Sequence, residues 1–229
     1  MSLQGGRRSS FATRLAWVFA AGAAPIGTAH AHGAIAQMNA FYGGMAHPFL
    51  EPPQWLLLLA LGLWLAQRRG LALAAPMLAL AVCTVPSLLL ASGAFGLPRL
   101  PPPPSGVLTA MGMVAGALVA TSFAQAPGAG DRLRTLAAGA VGIAIGLDSG
   151  VDGTPAAGAL ALFMAGTWVV ITVFTANIAY YAALAVGTPQ GPDGAGRYWV
   201  RIGMRIVGAW TFAACLMMLA FQLKGAWQA

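Results

Sequence analysis

The chain has 229 residues, of which 59% are hydrophobic and only 7% charged, with a formal net charge of +7. A soluble domain carries about a quarter charged residues, so this composition excludes a water-covered globular surface and points to a chain whose solvent is the lipid bilayer. The basic residues stand singly or in pairs at the ends of apolar runs, with no basic stripe interleaved with aromatics. That excludes nucleic acid as a partner and turns the charge into topology information.

In chain order, Arg7, Arg8 and Arg14 precede the apolar run Leu15 to Ala24, and Ala29-His30-Ala31 follows. Positive region, short apolar region and small-x-small site predict a cleavable signal peptide over 1–31. The run is short for a membrane span of about 20 residues, and the alternative is an uncleaved first helix. Cleavage leaves His32 at a mature N-terminus on the outer, periplasmic side of an inner (plasma) membrane. Residues 32–229 then form one transmembrane domain with no soluble module.

Apolar segments follow at 55–66 (with a start that reaches back toward His47), 71–93, 106–125, 133–147, 157–186 and 202–223. The expected fold class is an all-α membrane protein, a bundle of about six transmembrane helices. The first and fourth segments are short and end in polar or proline-containing stretches, which a membrane tolerates only where protein or a wet cavity satisfies the backbone. With an outer N-terminus, the inner connections hold Arg68, Arg69, Arg132, Arg134, Arg197 and Arg201, with Arg205 just inside the sixth span. The outer segments hold only Arg99 and Lys224. This is the positive-inside pattern. Pro101 to Pro104 predict a stiff, extended outer spacer. Asp131 and Asp193 read as solvated charges of inner loops, and Cys83 and Cys215 as small buried hydrophobes.

Ionisable residues near membrane helices are the informative ones in so apolar a chain. His47 and Glu51 flank Pro48-Phe49-Leu50; in a helix they fall one turn apart and can ligate a divalent ion, or they are an interfacial His and a solvated Glu. Asp148 and Asp152 sit four apart among Gly146, Gly150 and Gly153. Such a pair suits oxygen-seeking cations, or is a polar turn that stops a helix. Both clusters fall on one membrane face. Asn177, in the fifth segment with Thr172, Thr175, Tyr180 and Tyr181, either lines a path or joins helices by hydrogen bonds. The ten methionines lie mostly in apolar runs, where they pack. No nucleophile elbow, phosphate-binding loop, dinucleotide fingerprint or zinc-protease motif is present, and an enzyme is not expected.

A signal peptide ending in Ala-His-Ala-His-Gly, then Gly43-Gly44-Met45-Ala46-His47-Pro48, then Leu56 to Gln67, resembles the HupE/UreJ family of membrane permeases. The likeness covers most of the chain in segment order, and its specific part is roughly His47 to Gln67. It implies nickel or cobalt as the transported ion. Pro53 and Gln54 stand where the family has Asp-His, and Gly146 to Gly153 holds Asp148 and Asp152 but no His. Fewer imidazole ligands imply weaker selection of nickel over harder ions.

The expectation is an inner-membrane permease for a divalent transition metal, with His47, Glu51, Asp148 and Asp152 as an outer metal site and Asn177 further along. No tightly bound cofactor is expected; the partners are the lipid bilayer, the ion and other membrane subunits. The alternative is a non-transporting accessory or assembly subunit on a permease-like scaffold.

Overall fold

The structure, a computed structural model, describes residues 39–67, 73–104, 106–122, 129–151, 156–186 and 194–226. The predicted signal peptide, His32, Arg68, Arg69, Asp152 and Asp193 lie outside the described residues. Among those described, all regular structure is helical: α1 (Ala40–Leu50), α2 (Pro52–Ala66), α3 (Ala74–Ser92), a 3-10 turn (Ala94–Gly96), α4 (Gly106–Thr121), α5 (Ala129–Asp148), α6 (Ala157–Val186) and α7 (Gly194–Ala226). Every predicted apolar segment contains a helix. Three helical stretches, Ala74–Ser92, Ala157–Val186 and Tyr198–Lys224, are long and apolar enough to cross a membrane, and the bent pair α1–α2 makes a fourth if it counts as one span. The chain is a multi-pass helical membrane protein.

The break between α1 and α2 follows from proline chemistry. Pro52 pushes its predecessor out of helical geometry, and Glu51 is extended at φ −104°, ψ 98°. Pro52 and Pro53 then open α2, where a missing N–H costs no helical bond. The two helices diverge by 80°. Pro48 lies inside α1 rather than in a first turn, so the carbonyl of Gly44 loses its usual donor. Thr167 Oγ1 of α6 reaches that carbonyl at 3.1 Å, sharing its one proton with the Phe163 carbonyl at 3.0 Å. The expected helical pairing of His47 with Glu51 is therefore corrected: Glu51 sits in the break, outside both helices.

Helix α2 is apolar around its whole circumference, the pattern of a buried helix. Leu57, Leu58, Leu61, Trp64 and Leu65 are all essentially inaccessible, and α4 and α6 flank it. Close approach of the helices rests on small residues. A Cβ on Gly44 would overlap the carbonyl of Phe163, and one on Gly166 the carbonyl of Phe41, so α1 and α6 touch backbone to backbone. Gly142 and Gly146 of α5 seat Thr84 and Ser87 of α3 in the same way.

Helix directions follow from these contacts. Gly112 of α4 meets Leu57 while Gln67 reaches Val119, so α2 and α4 run the same way. Gly142 meets Leu80 and Gly150 meets Ala91, so α3 and α5 run together. Asp148 lies beside the start of α2 and Arg134 beside its end, so α5 opposes α2.

One loop assignment is corrected. Asp131, Arg132 and Arg134 belong to α5, which begins at Ala129. Asp131 in the first turn complements the helix dipole. Arg134 is only 2% exposed and lies 3.7 Å from the Asp131 carboxylate, so this pair is packed into the bundle. The proline run behaves as expected: Pro101 to Pro104 form no helix and are largely exposed.

Candidate functional site: a polar cluster at the first turn of α2

Three helix ends meet at the start of α2. The last turn of α1 supplies His47, the break supplies Glu51, the first turn of α2 supplies Gln54, and the last residue of α5 supplies Asp148. Gln54 is fully buried, and its Nε2 donates to Asp148 Oδ2 at 2.7 Å. A bond this short to a carboxylate is charge-assisted and stronger than one between neutral groups. Gln54 Oε1 is buried and has no hydrogen-bond partner.

The His47 ring packs edge-on against Phe163 of α6, with centroids 5.6 Å apart. Its Nε2 is likewise buried and without a partner. The charges of both Glu51 and Asp148 reach the imidazole. The Glu51 side chain is exposed, while its backbone carbonyl accepts from Gln54 N at 2.9 Å and starts α2. Beyond Asp148, Ser149 closes α5 through Oγ to the Ile145 carbonyl, 2.8 Å. Arg99 of the proline-rich connection donates to the Val151 carbonyl, also at 2.8 Å. That bond ties the stiff spacer to the segment leading into Asp152.

Of the residues predicted from sequence, Glu51 and Asp148 lie within electrostatic reach of His47, and Asp152 lies outside the described residues. Asn177 stands apart. It comes fourteen positions after Phe163 on α6, roughly 21 Å along a helix. Its exposed side chain donates to the Val173 carbonyl at 2.7 Å. Thr167, Ile171, Thr175 and Ala179 form the buried stripe of α6, and two positions beyond Thr175 is the opposite side of the helix. Asn177 there lines a shallow recess with Met77 and Tyr180.

Gln54 is the residue that sequence reasoning passed over as a site member. Its signal was present: it is the only amide in an otherwise apolar α2, in the first turn after a proline pair. Among the described residues, no three His, Cys, Asp or Glu side chains stand close enough to hold a metal ion between them. Below Gln54, the packing around Leu57, Leu58 and Leu61 is dry and apolar. Comparison with protein-family models, with curated proteins and with solved structures returns no match.

Proposed function

We propose that the chain is an inner-membrane permease for a divalent transition-metal cation, with nickel or cobalt as the ion that its family resemblance suggests. In this reading the six apolar helices α2 to α7 all span, with the His47 end of the bundle facing the outer side. The observation that carries the proposal is the meeting of His47, Gln54 and Asp148 where α1 breaks from α2. Proline chemistry makes the break, and irregular backbone at membrane depth is tolerated where protein buries it or where it lines a polar site, as in transporters whose discontinuous helices hold ions. An imidazole beside a carboxylate is a ligand set that suits a borderline divalent ion. Asp148 also terminates α5, where the helix dipole adds negative potential to its carboxylate and further favours a cation. Glu51, exposed in the break, would supply an additional carboxylate.

The dry packing below Gln54 favours a second reading, in which the chain is an accessory or assembly subunit that moves no ion. Uptake of Ni²⁺ and Co²⁺ into liposomes containing the purified protein separates the two. A permease gives saturable uptake that the His47→Ala/Asp148→Asn double variant abolishes. Folded wild type that takes up neither ion would leave the accessory reading in place.

A further inference from the structure

Gln54 is 0% exposed, yet only one end of its amide is used. Nε2 donates to Asp148 at 2.7 Å, while Oε1 has no partner. His47 Nε2, across the Glu51 break, is the other buried polar atom here without one. The amide oxygen and the carboxylate can only accept, and a neutral imidazole carrying its proton on Nδ1 accepts at Nε2. Leaving buried acceptors uncompensated is unfavourable. With His47 in that tautomer, a cation would satisfy Gln54 Oε1 and His47 Nε2 together.

We propose that Gln54 is itself an ion ligand and the selectivity-determining residue of this site. Oε1 would supply a neutral oxygen to an ion held with His47 Nε2 and the Asp148 carboxylate. Among the described residues the His, Cys, Asp and Glu side chains alone reach no set of three, so the amide would have to be the third ligand. The resulting set has one nitrogen among oxygens. Imidazole favours nickel, whereas carboxylate and carbonyl oxygens favour manganese and other hard ions. The site therefore takes borderline and harder divalent cations together and separates Ni²⁺ from Mn²⁺ only weakly. The bond to Asp148 joins the starts and ends of two rigid helices, which holds the ligands in place before the ion arrives.

This inference rests on the metal-binding reading above, and one experiment distinguishes the failure of each. Ni²⁺ and Mn²⁺ are titrated separately into the purified full chain and its Gln54→Leu, Gln54→Glu and Gln54→His variants, each checked for monodispersity in detergent. Gln54→Leu should weaken both ions by about tenfold or more, as loss of a group in or next to the ligand shell does. Gln54→Glu should tighten both. Gln54→His should raise the preference for Ni²⁺ over Mn²⁺ by about tenfold. If Gln54→Leu does not stay folded, the Glu and His variants carry the test. Wild type that binds either ion while every folded variant binds both unchanged overturns the role of Gln54 and leaves the metal site standing. Wild type that binds neither ion overturns both.

Discussion

At its first turn α2 meets α5 through the 2.7 Å bond from Gln54 to the Asp148 carboxylate. At its last turn the same two helices meet through Trp64 and Arg134, the guanidinium lying 5.5 Å from the indole centroid, while Gln67 donates to the Val119 carbonyl at 2.8 Å. One helix pair thus ends in an anion on one side and a cation on the other. Both charges oppose the α5 dipole, since Asp148 sits at its C-terminus and Arg134 near its start. Each is therefore held by side-chain partners rather than by the dipole of the helix it belongs to. The difference lies in the sign of the charge and in what covers it. At the Arg134 end a cation lies over an aromatic face with a neighbouring carboxylate. At the Gln54 end the carboxylate is held by an amide whose Oε1, like that of Gln67 at the other end, is buried without a hydrogen-bond partner, and His47 Nε2 is buried likewise. A carboxylate with an imidazole in electrostatic reach suits a cation, which an arginine would repel.

The strongest way to break the comparison is to pull α1 off α6, because His47 reaches the cluster only through that contact. Gly166→Leu would drive a side chain into the Phe41 carbonyl. Overpacking of this kind should cost about 3 kcal/mol and be seen as a lowered thermal midpoint or loss of monodisperse protein in detergent. Gly43→Ala is the control one helix away: a methyl there meets nothing within 4 Å and should leave the midpoint unchanged or slightly raised.

The opposite end should respond next most strongly. Arg134→Ala removes a buried side chain, its contact with Trp64 and the partner of Asp131. The expected loss is about 2 kcal/mol, below that of a fully buried pair because Asp131 is partly exposed. Arg134→Lys should recover little, since an ammonium cannot stack its plane on the indole. Equal midpoints for Lys and Arg at this position would show that charge alone matters there.

Thr167→Val probes the repair of the proline kink. Valine keeps the shape and leaves the Gly44 carbonyl without the 3.1 Å donor. A loss of about 1 kcal/mol is expected from one unpaired buried carbonyl, again read from the unfolding midpoint. A result indistinguishable from wild type would mean that the hydroxyl proton serves the Phe163 carbonyl, 3.0 Å away, rather than Gly44.

How much of this was legible beforehand differs between the two ends for physical reasons. The long apolar runs of α3, α6 and α7 announce themselves, because a membrane helix must be apolar over its whole length. The break at Glu51 is written locally in Pro48, Pro52 and Pro53, yet taking His47 and Glu51 as one helical turn ignored what Pro52 does to the residue before it. The clustering of His47 with Asp148 was within reach because alternating helices put both on one face. The bond from Gln54 to Asp148 was not, since it joins residues ninety-four positions apart and depends on how α2 and α5 are rotated. The same missing rotation hid which way Asn177 faces: the buried stripe of α6 is visible only once α1 and α2 are packed against it. Arg134 read as a loop charge because sequence alone does not show that α5 starts at Ala129 and turns that side chain under Trp64.

The smallest expected effect on stability is also the sharpest test of what the Gln54 end is for. In Asp148→Asn the new side-chain oxygen can still accept from Gln54 Nε2, so the link between α2 and α5 survives with a neutral acceptor. The unfolding midpoint should move by less than about 1 kcal/mol, the difference between a charged and a neutral hydrogen bond. Removing the negative charge at the C-terminus of α5 also relieves its repulsion by the helix dipole, which offsets part of that loss. Ion binding should respond oppositely, because an amide oxygen attracts a divalent cation far less than a carboxylate does. A protein that unfolds as wild type but no longer binds Ni²⁺ or Co²⁺ would assign the carboxylate to the ion. If stability instead falls by several kcal/mol while binding is absent in both proteins, Asp148 acts as a fastener, and the two ends of α2 differ in the sign of their charge but share one structural purpose.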